Sequence, residues 1–221
     1  MVAQTLRFLS DANRLLHLYE EGIEQAKEAV EIYKQLNDVW GQGISLQELS
    51  RLLHDDGQLD SAEEAALQAI NFFSSEDSQF DVCRCYRILG LISSTKGETE
   101  KALSYFETAL GMATASNWHE PLFLIHCSMA DLFFYRHKFE DAHTHIEQAK
   151  SYAINDIYRL GHATEMQAIF WLNESKFEEV RGEALRAIDF YKKVGAMKDV
   201  EGCQAILQNI EVALSKPVGS H

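Results

Sequence analysis

Four stretches of the chain echo one another: GQLDSAEEAALQAI (57–70), GETEKALSYFETAL (97–110), HKFEDAHTHIEQAK (137–150) and SKFEEVRGEALRAI (175–188). Each carries a turn residue, acidic residues, a small residue, and a second small residue seven positions on. The first small positions hold Ala62, Ala102, Ala142 and Val180, separated by 40, 40 and 38 residues, and the second hold Ala69, Ala109, Ala149 and Ala187. Residues seven apart on an α-helix lie on one face two turns from each other, and small side chains there admit another helix at close range. A weaker fifth copy, EGIEQAKEAVEIY (21–33), is expected to place Ala26 at the first small position, a step of 36 before Ala62.

The segments between these copies also have helical periodicity: Leu46, Leu49, Leu52 and Leu53; Tyr86, Leu89 and Ile92; Ile125, Met129, Leu132 and Phe133; Ala163, Met166, Phe170 and Trp171. They read as the first helices of successive pairs, with the repeated stretches as the second. Breakers fall where turns are needed: Gly57 and Gly97 between first and second helices, and Asn37-Asp38, Ser74 to Ser78, Asn117 and Asn155-Asp156 between pairs. Pro121 suits the opening turn of a helix, where its missing N–H leaves nothing unpaired. No alternating strand pattern occurs, so the expected fold is all-α. Eleven helices are expected, as five pairs in units 2–37, 38–76, 79–116, 119–154 and 156–195, with a capping helix over 197–214 whose outward residues include Gln204, Gln208 and Glu211. The single repeat domain then covers 1–214, and 215–221 reads as a flexible tail or an expression scar.

This pattern resembles the tetratricopeptide repeat. That unit has a large residue at its fourth position, Leu at the seventh, a small residue at the eighth and small residues at the twentieth and twenty-seventh. Tyr86, Leu89, Gly90, Ala102 and Ala109 fill those positions, as do Leu46, Leu49, Ser50, Ala62 and Ala69, and His126, Met129, Ala130, Ala142 and Ala149. The unit on Val180 fits less well, with Thr164, Gln167, Ala168 and Ala187. In the N-terminal unit the register of the first helix, around Leu9, Ala12 and Leu16, is ambiguous. A period near 40 resembles the long repeats of kinesin light chains. FDVCRCYRILG, NWHEPLFLIHCSMADLFF and KDVEGCQAILQNIE resemble repeat arrays of mushroom-forming fungi that accompany nucleotide-binding regulatory ATPases related to immune receptors. The resemblance implies a right-handed superhelical α-solenoid that binds a peptide or protein on its concave face. No phosphate-binding Gly-x4-Gly-Lys-Ser/Thr loop is present in this chain.

Composition limits the partners. With 20 basic and 34 acidic residues, the formal charge of −14 opposes nucleic acid and favours encounter with basic protein surfaces. Cys83, Cys85, Cys127 and Cys203 are too few and too unevenly spaced for a disulfide scaffold, and read as reduced thiols. The N-terminus lacks a signal-peptide pattern, and no apolar run approaches the ~20 residues that span a bilayer. A cytoplasmic protein without membrane partners is expected.

Catalysis and cofactors are not expected. No nucleophile or metalloprotease signature is present, and the acidic pairs Glu63-Glu64, Glu140-Asp141 and Glu178-Glu179 fall near helix starts, where carboxylates complement the dipole. His143 and His145 point about 200° apart on a helix, so they cannot share a metal unaided. His143 and Glu147 have i, i+4 spacing, common on solvated faces. A small-ligand or metal sensor built on His126, Cys127 and His162 is the remaining alternative of that kind.

The resemblance also implies which residues line the groove. The inward positions of the first helices give Gln47, Arg51 and His54, then Arg84 and Arg87, then Asp131 and Phe134, then His162 and Glu165. Arg51, Arg84 and Arg87 make a basic section suited to carboxylates, followed by an acidic one at Asp131 and Glu165. The clamp that grips acidic chaperone tails needs Asn where this chain has Glu48 and Ile88, so that ligand is disfavoured. A protein-interaction scaffold is the leading expectation, and self-association into a homodimer through apolar residues of incomplete terminal units is its alternative.

Overall fold

The structure is a computed structural model that describes residues 2–215. Among them it is all-helical, with eleven helices: α1 (Val2–Leu15), α2 (Tyr19–Gln35), α3 (Val39–Asp55), α4 (Leu59–Ser75), α5 (Gln79–Thr95), α6 (Thr99–Ala115), α7 (His119–Tyr135), α8 (Phe139–Tyr152), α9 (Ile157–Asn173), α10 (Phe177–Val194) and α11 (Met197–Ser215). The expected five pairs and capping helix are all present. The expected tail lies outside the described residues but for Ser215.

The 40-residue period has a simple origin. Helices of 17 residues alternate with three-residue turns, so each half-repeat occupies 20 positions. The middle residue of these turns adopts a left-handed conformation at His17, Asn37, Gly57, Asp77, Gly97, Asn117, His137 and Ser175. Gly57 and Gly97, at φ 83°, take it without steric cost, whereas the other side chains pay for it. The shorter step of 38 arises because α8 has 14 residues and is followed by a turn at 153–156. Asp38 and Asp156 cap α3 and α9, their carboxylates accepting from Gly41 N (2.7 Å) and Arg159 N (3.0 Å).

The structure corrects one register. Counting back 40 residues from Ala62 leads to Gly22, not Ala26, and Gly22 lies against Leu52, where a Cβ would come within 2.7 Å of Leu52 Cδ2. Its partner seven on is Ala29, fully buried. Ala26 is also buried, one turn further along, so an alanine-rich helix offers several small residues and sequence spacing alone picks the wrong one. The same step places Ser10 opposite Ser50 in the repeat, which fixes the ambiguous register of α1; both are buried.

The chain divides into two compact units, meeting at Pro121 and Leu122. In the first, α1 to α6 pack each on its sequence neighbours, and the first helix α3 also touches α1 and α5. The core runs from Ile23 through Leu46, Leu52, Ala66, Phe73 and Leu89 to Ile92. In the second, Phe123, Ala130, Ile146, Ala163 and Phe170 form one cluster, while Val180, Ala184 and Ile210 close another under α11.

Packing inside each pair is reciprocal in volume. Gly43 faces Phe73 and Gly161 faces Tyr191, with ring atoms 2.8 and 2.9 Å from where a glycine Cβ would sit. At the corresponding positions of the intervening pairs, Cys83 and Phe123 accompany Ala113 and Ala153. Large and small thus exchange sides between the α3–α4, α7–α8 and α9–α10 pairs, as close packing requires, while Cys83 and Ala113 leave the α5–α6 pair small on both sides.

Candidate functional site

In the first unit, α3 and α5 bring Arg51, His54 and Arg87 to the wall of a cavity of about 180 Å³, joined there by Arg14, Asp55, Ile88 and Leu91. Arg14 is absent from the sequence-based set because it lies on α1, whose register is ambiguous from sequence; the 40-residue step back from His54 finds it. Its guanidinium contacts three carboxylates: Glu48 Oε1 (3.2 Å), Asp55 Oδ2 (3.2 Å) and Asp11 Oδ1 (3.1 Å). Arg51 Nη1 takes the other oxygen of Glu48 at 3.0 Å. Glu48 is only 8% exposed and lies beneath the two arginines. Burial pushes its pKa up, while Arg51 and Arg14 oppose the shift. Asp55 goes the other way, held below the usual carboxylate range by hydrogen bonds from His54 and Arg14 that outweigh its desolvation.

The cavity wall therefore carries three guanidiniums, an imidazole and one carboxylate, with a buried counter-charge behind them. His54 Nδ1 is 3.0 Å from Asp55, and its Nε2 is 3.0 Å from Thr95 Oγ1, whose hydroxyl donates to Leu91 O. These bonds tie the end of α3 to the end of α5. Arg84 does not join them: its guanidinium lies 5.9 Å from the Phe80 ring centroid and 4.0 Å from Asp81 Oδ1. Gln47 is buried, its amide donating to Asp81 O (3.4 Å) with Cys85 Sγ at 3.3 Å, and it links α3 to α5 from within.

In the second unit, Asp131 on α7 has no hydrogen bond or ion pair among the described residues, and burial pushes its pKa up to about 6. Phe134, one turn on, stacks on Phe170 of α9 (centroids 4.3 Å apart, 12° between planes). His162 is exposed and meets the Phe123 ring edge-on at 6.3 Å. Glu165 Oε2 accepts from the Tyr191 hydroxyl at 2.7 Å.

His126, Cys127 and His162 are not brought together. His126 turns to His145, with Nδ1 atoms 2.9 Å apart, and stacks on Tyr152, while Cys127 enters the core. Burial lowers the His126 pKa to about 4. Among the described residues, no three His, Cys, Asp or Glu side chains are placed to hold a metal ion. The four cysteines are free and buried, and burial pushes the thiol pKa values of Cys83 to about 11 and Cys85 to about 12. No described helix is long and apolar enough to cross a membrane.

Residues 84–115, spanning most of α5 and α6, match the tetratricopeptide repeat family. No curated protein matches the chain. Its fold is similar to that of several solved structures. Aspartyl phosphate phosphatase F from Bacillus subtilis has a TM-score of 0.66 at 15% identity, over 99% of this chain and 62% of that one. The Rap conjugation gene regulator of plasmid pLS20, solved with a Phr peptide, has 0.63 at 16% identity over 100% and 66%. A signal transduction ATPase with a tetratricopeptide repeat sensor from Pyrococcus horikoshii has 0.68 at 18% identity, over 97% of this chain and 34% of that one. The chain thus spans about two thirds or less of the length of each of these proteins, and at such identities the likeness is one of fold.

Proposed function

We propose that this chain is a protein-interaction scaffold that holds a peptide or protein segment against the inward faces of its first helices, as the recognition part of a larger cytoplasmic regulatory protein of the kind found beside fungal nucleotide-binding ATPases. The observation that carries the reading is the wall formed by Arg14, Arg51 and Arg87, three guanidiniums around a cavity too small for a folded domain but sized for a side chain. Planar forks of this kind pair with carboxylates in two-point fashion. In the second unit, the Asp131 carboxylate beside the Phe134–Phe170 stack suits a cationic or aromatic side chain. The Rap regulator of similar fold, solved with a peptide, supports the same use of the scaffold. Neither an enzymatic activity nor a cofactor is part of the proposal.

Peptides selected from a random display library on the wild-type chain are expected to be rich in Asp and Glu. The same selection on the Arg51→Glu, Arg87→Glu variant is expected to lose them. Recovery of one and the same peptide set from both proteins would remove the basic wall from the account.

A homodimer is the second reading, favoured by Val2, Phe8 and Leu16, which remain 57–66% exposed at the N-terminal edge. Light scattering over a concentration series decides it, since a monomer throughout eliminates self-association.

A further inference from the structure

A second cavity, of about 540 Å³, opens in the second unit between α8 and the turn joining α9 to α10, lined by Glu140, His143, Glu147, Trp171, Glu174 and Lys176 among others. None of these is a groove candidate. The floor is the Trp171 indole. His143 stacks on it (centroids 3.6 Å apart, 26° between planes), and the Lys176 ammonium sits 4.1 Å from its centroid. Glu174 completes the arrangement, with Oε1 accepting from His143 Nε2 at 2.5 Å and Oε2 lying 3.0 Å from Lys176 Nζ. The Gln167 amide, buried behind, donates to His143 Nδ1, which fixes the imidazole tautomer that donates to Glu174.

The indole and the carboxylates of this arrangement favour a cation. An indole face attracts an ammonium or guanidinium, more strongly as water is excluded, and the Glu174 side chain is only 14% exposed. Hydrogen bonds from His143 and Lys176 hold its pKa below the usual carboxylate range despite burial. Glu140 and Glu147 add negative charge along α8, in a chain of formal charge −14. The group now on the indole belongs to an exposed lysine on a turn, the kind of side chain that exchanges readily with a competitor.

We propose that this cavity is a second binding site, for an arginine or lysine side chain of a basic protein segment, with Lys176 as an intramolecular stand-in that swings aside when the partner's cation takes the indole face and the Glu174 carboxylate. A guanidinium fits better than an ammonium, since its plane stacks on the indole while its edge pairs with a carboxylate. Entry requires no change in the core, because Lys176 precedes α10 without capping it through its side chain.

The test follows the indole N–H resonances of the 15N-labelled full chain, which has Trp40, Trp118 and Trp171, the last assigned with Trp171→Phe. The probe is an acetylated, amidated Gly-Gly-Arg-Gly-Gly peptide, with Gln in place of Arg as control. The Arg peptide is expected to shift the Trp171 resonance saturably and the Gln peptide is not. Lys176→Ala is expected to tighten binding about three- to tenfold by vacating the indole, and Glu174→Gln to weaken it by a similar factor. If Lys176→Ala changes the circular dichroism of the fold, Lys176→Gln replaces it. The proposal is overturned if Trp171 is unmoved in both the wild type and the Lys176 variant, or if the Gln peptide moves it equally. Tetramethylammonium binding the variant as tightly as the Arg peptide would also overturn it, making the cavity a site for small ammonium ions.

Discussion

The substitution Gly90→Ala tests the reciprocal packing of the pairs. A Cβ at Gly90 would lie 2.4, 2.5 and 2.9 Å from atoms of the Phe106 ring, which is fully buried. Overpacking of a core that cannot move costs about 1–3 kcal/mol, and a clash with three ring atoms falls at the upper end. Alanine recovers about 1 kcal/mol of helix propensity, leaving a net loss of about 2 kcal/mol. For a chain of this length that lowers Tm by roughly 4–8 °C. Yet alanine is no misfit at this position of the repeat: Ala130 occupies it in α7, and there the residue corresponding to Phe106 is Ile146. The clash should therefore belong to the pair and not to the site. A double-mutant cycle of Gly90→Ala and Phe106→Ile, followed by urea denaturation, is expected to show the double variant about 3 kcal/mol more stable than the sum of the single effects, because the clash is relieved while the gain in helix propensity stays. Additive single effects would refute the reciprocal-volume explanation.

Acid titration separates two groups of the second unit that oppose each other. The folded pKa of His126 is lowered to about 4, so between pH 6.5 and 4 the unfolded chain takes up a proton that the folded one refuses, and stability falls as pH falls. The folded pKa of Asp131 is raised to about 6, so over pH 6 to 4 the folded chain holds the extra proton, and stability rises as pH falls. Chemical denaturation of Asp131→Asn across this range is expected to show a loss on acidification on the order of 2 kcal/mol larger than in the wild type; equal slopes would contradict it. Ser175, exposed and left-handed at φ 59°, is expected to yield about 0.5–1 kcal/mol of added stability when changed to Gly, seen as a raised Tm. Asp38→Ala removes the acceptor of the Gly41 N–H and should cost about 1 kcal/mol in the same measurement.

The fold was legible because its determinants are local. Each turn is announced by Gly, Asn or Asp or by the end of an apolar period, and each helix carries its own stripe. The register of the N-terminal pair was not, because α2 has Gly22 at its first small position, with the buried Ala26 one turn further along inviting the wrong alignment. The site was only partly legible for a related reason. A position in the repeat says which way a side chain starts, but not which partner on another helix receives it. Gln47 starts inward and is covered by α5; Arg51 is in place but shares a buried Glu48 with Arg14, which lies 37 positions earlier. His143 has its i, i+4 glutamate at Glu147 yet pairs with Glu174, 31 residues away. Charges counted along one helix therefore overstate the basic character that the first unit presents.

The central claim is that the arginine wall of the first unit receives a partner's carboxylates. Arginine side-chain Nε–H resonances of the labelled chain, recorded while an acidic peptide from the display selection is added, test it most directly. Arg51 and Arg87 are expected to shift and saturate together, with Arg181 and Arg186 of α10 unmoved. Saturable binding of the peptide that leaves Arg51 and Arg87 unchanged would contradict it.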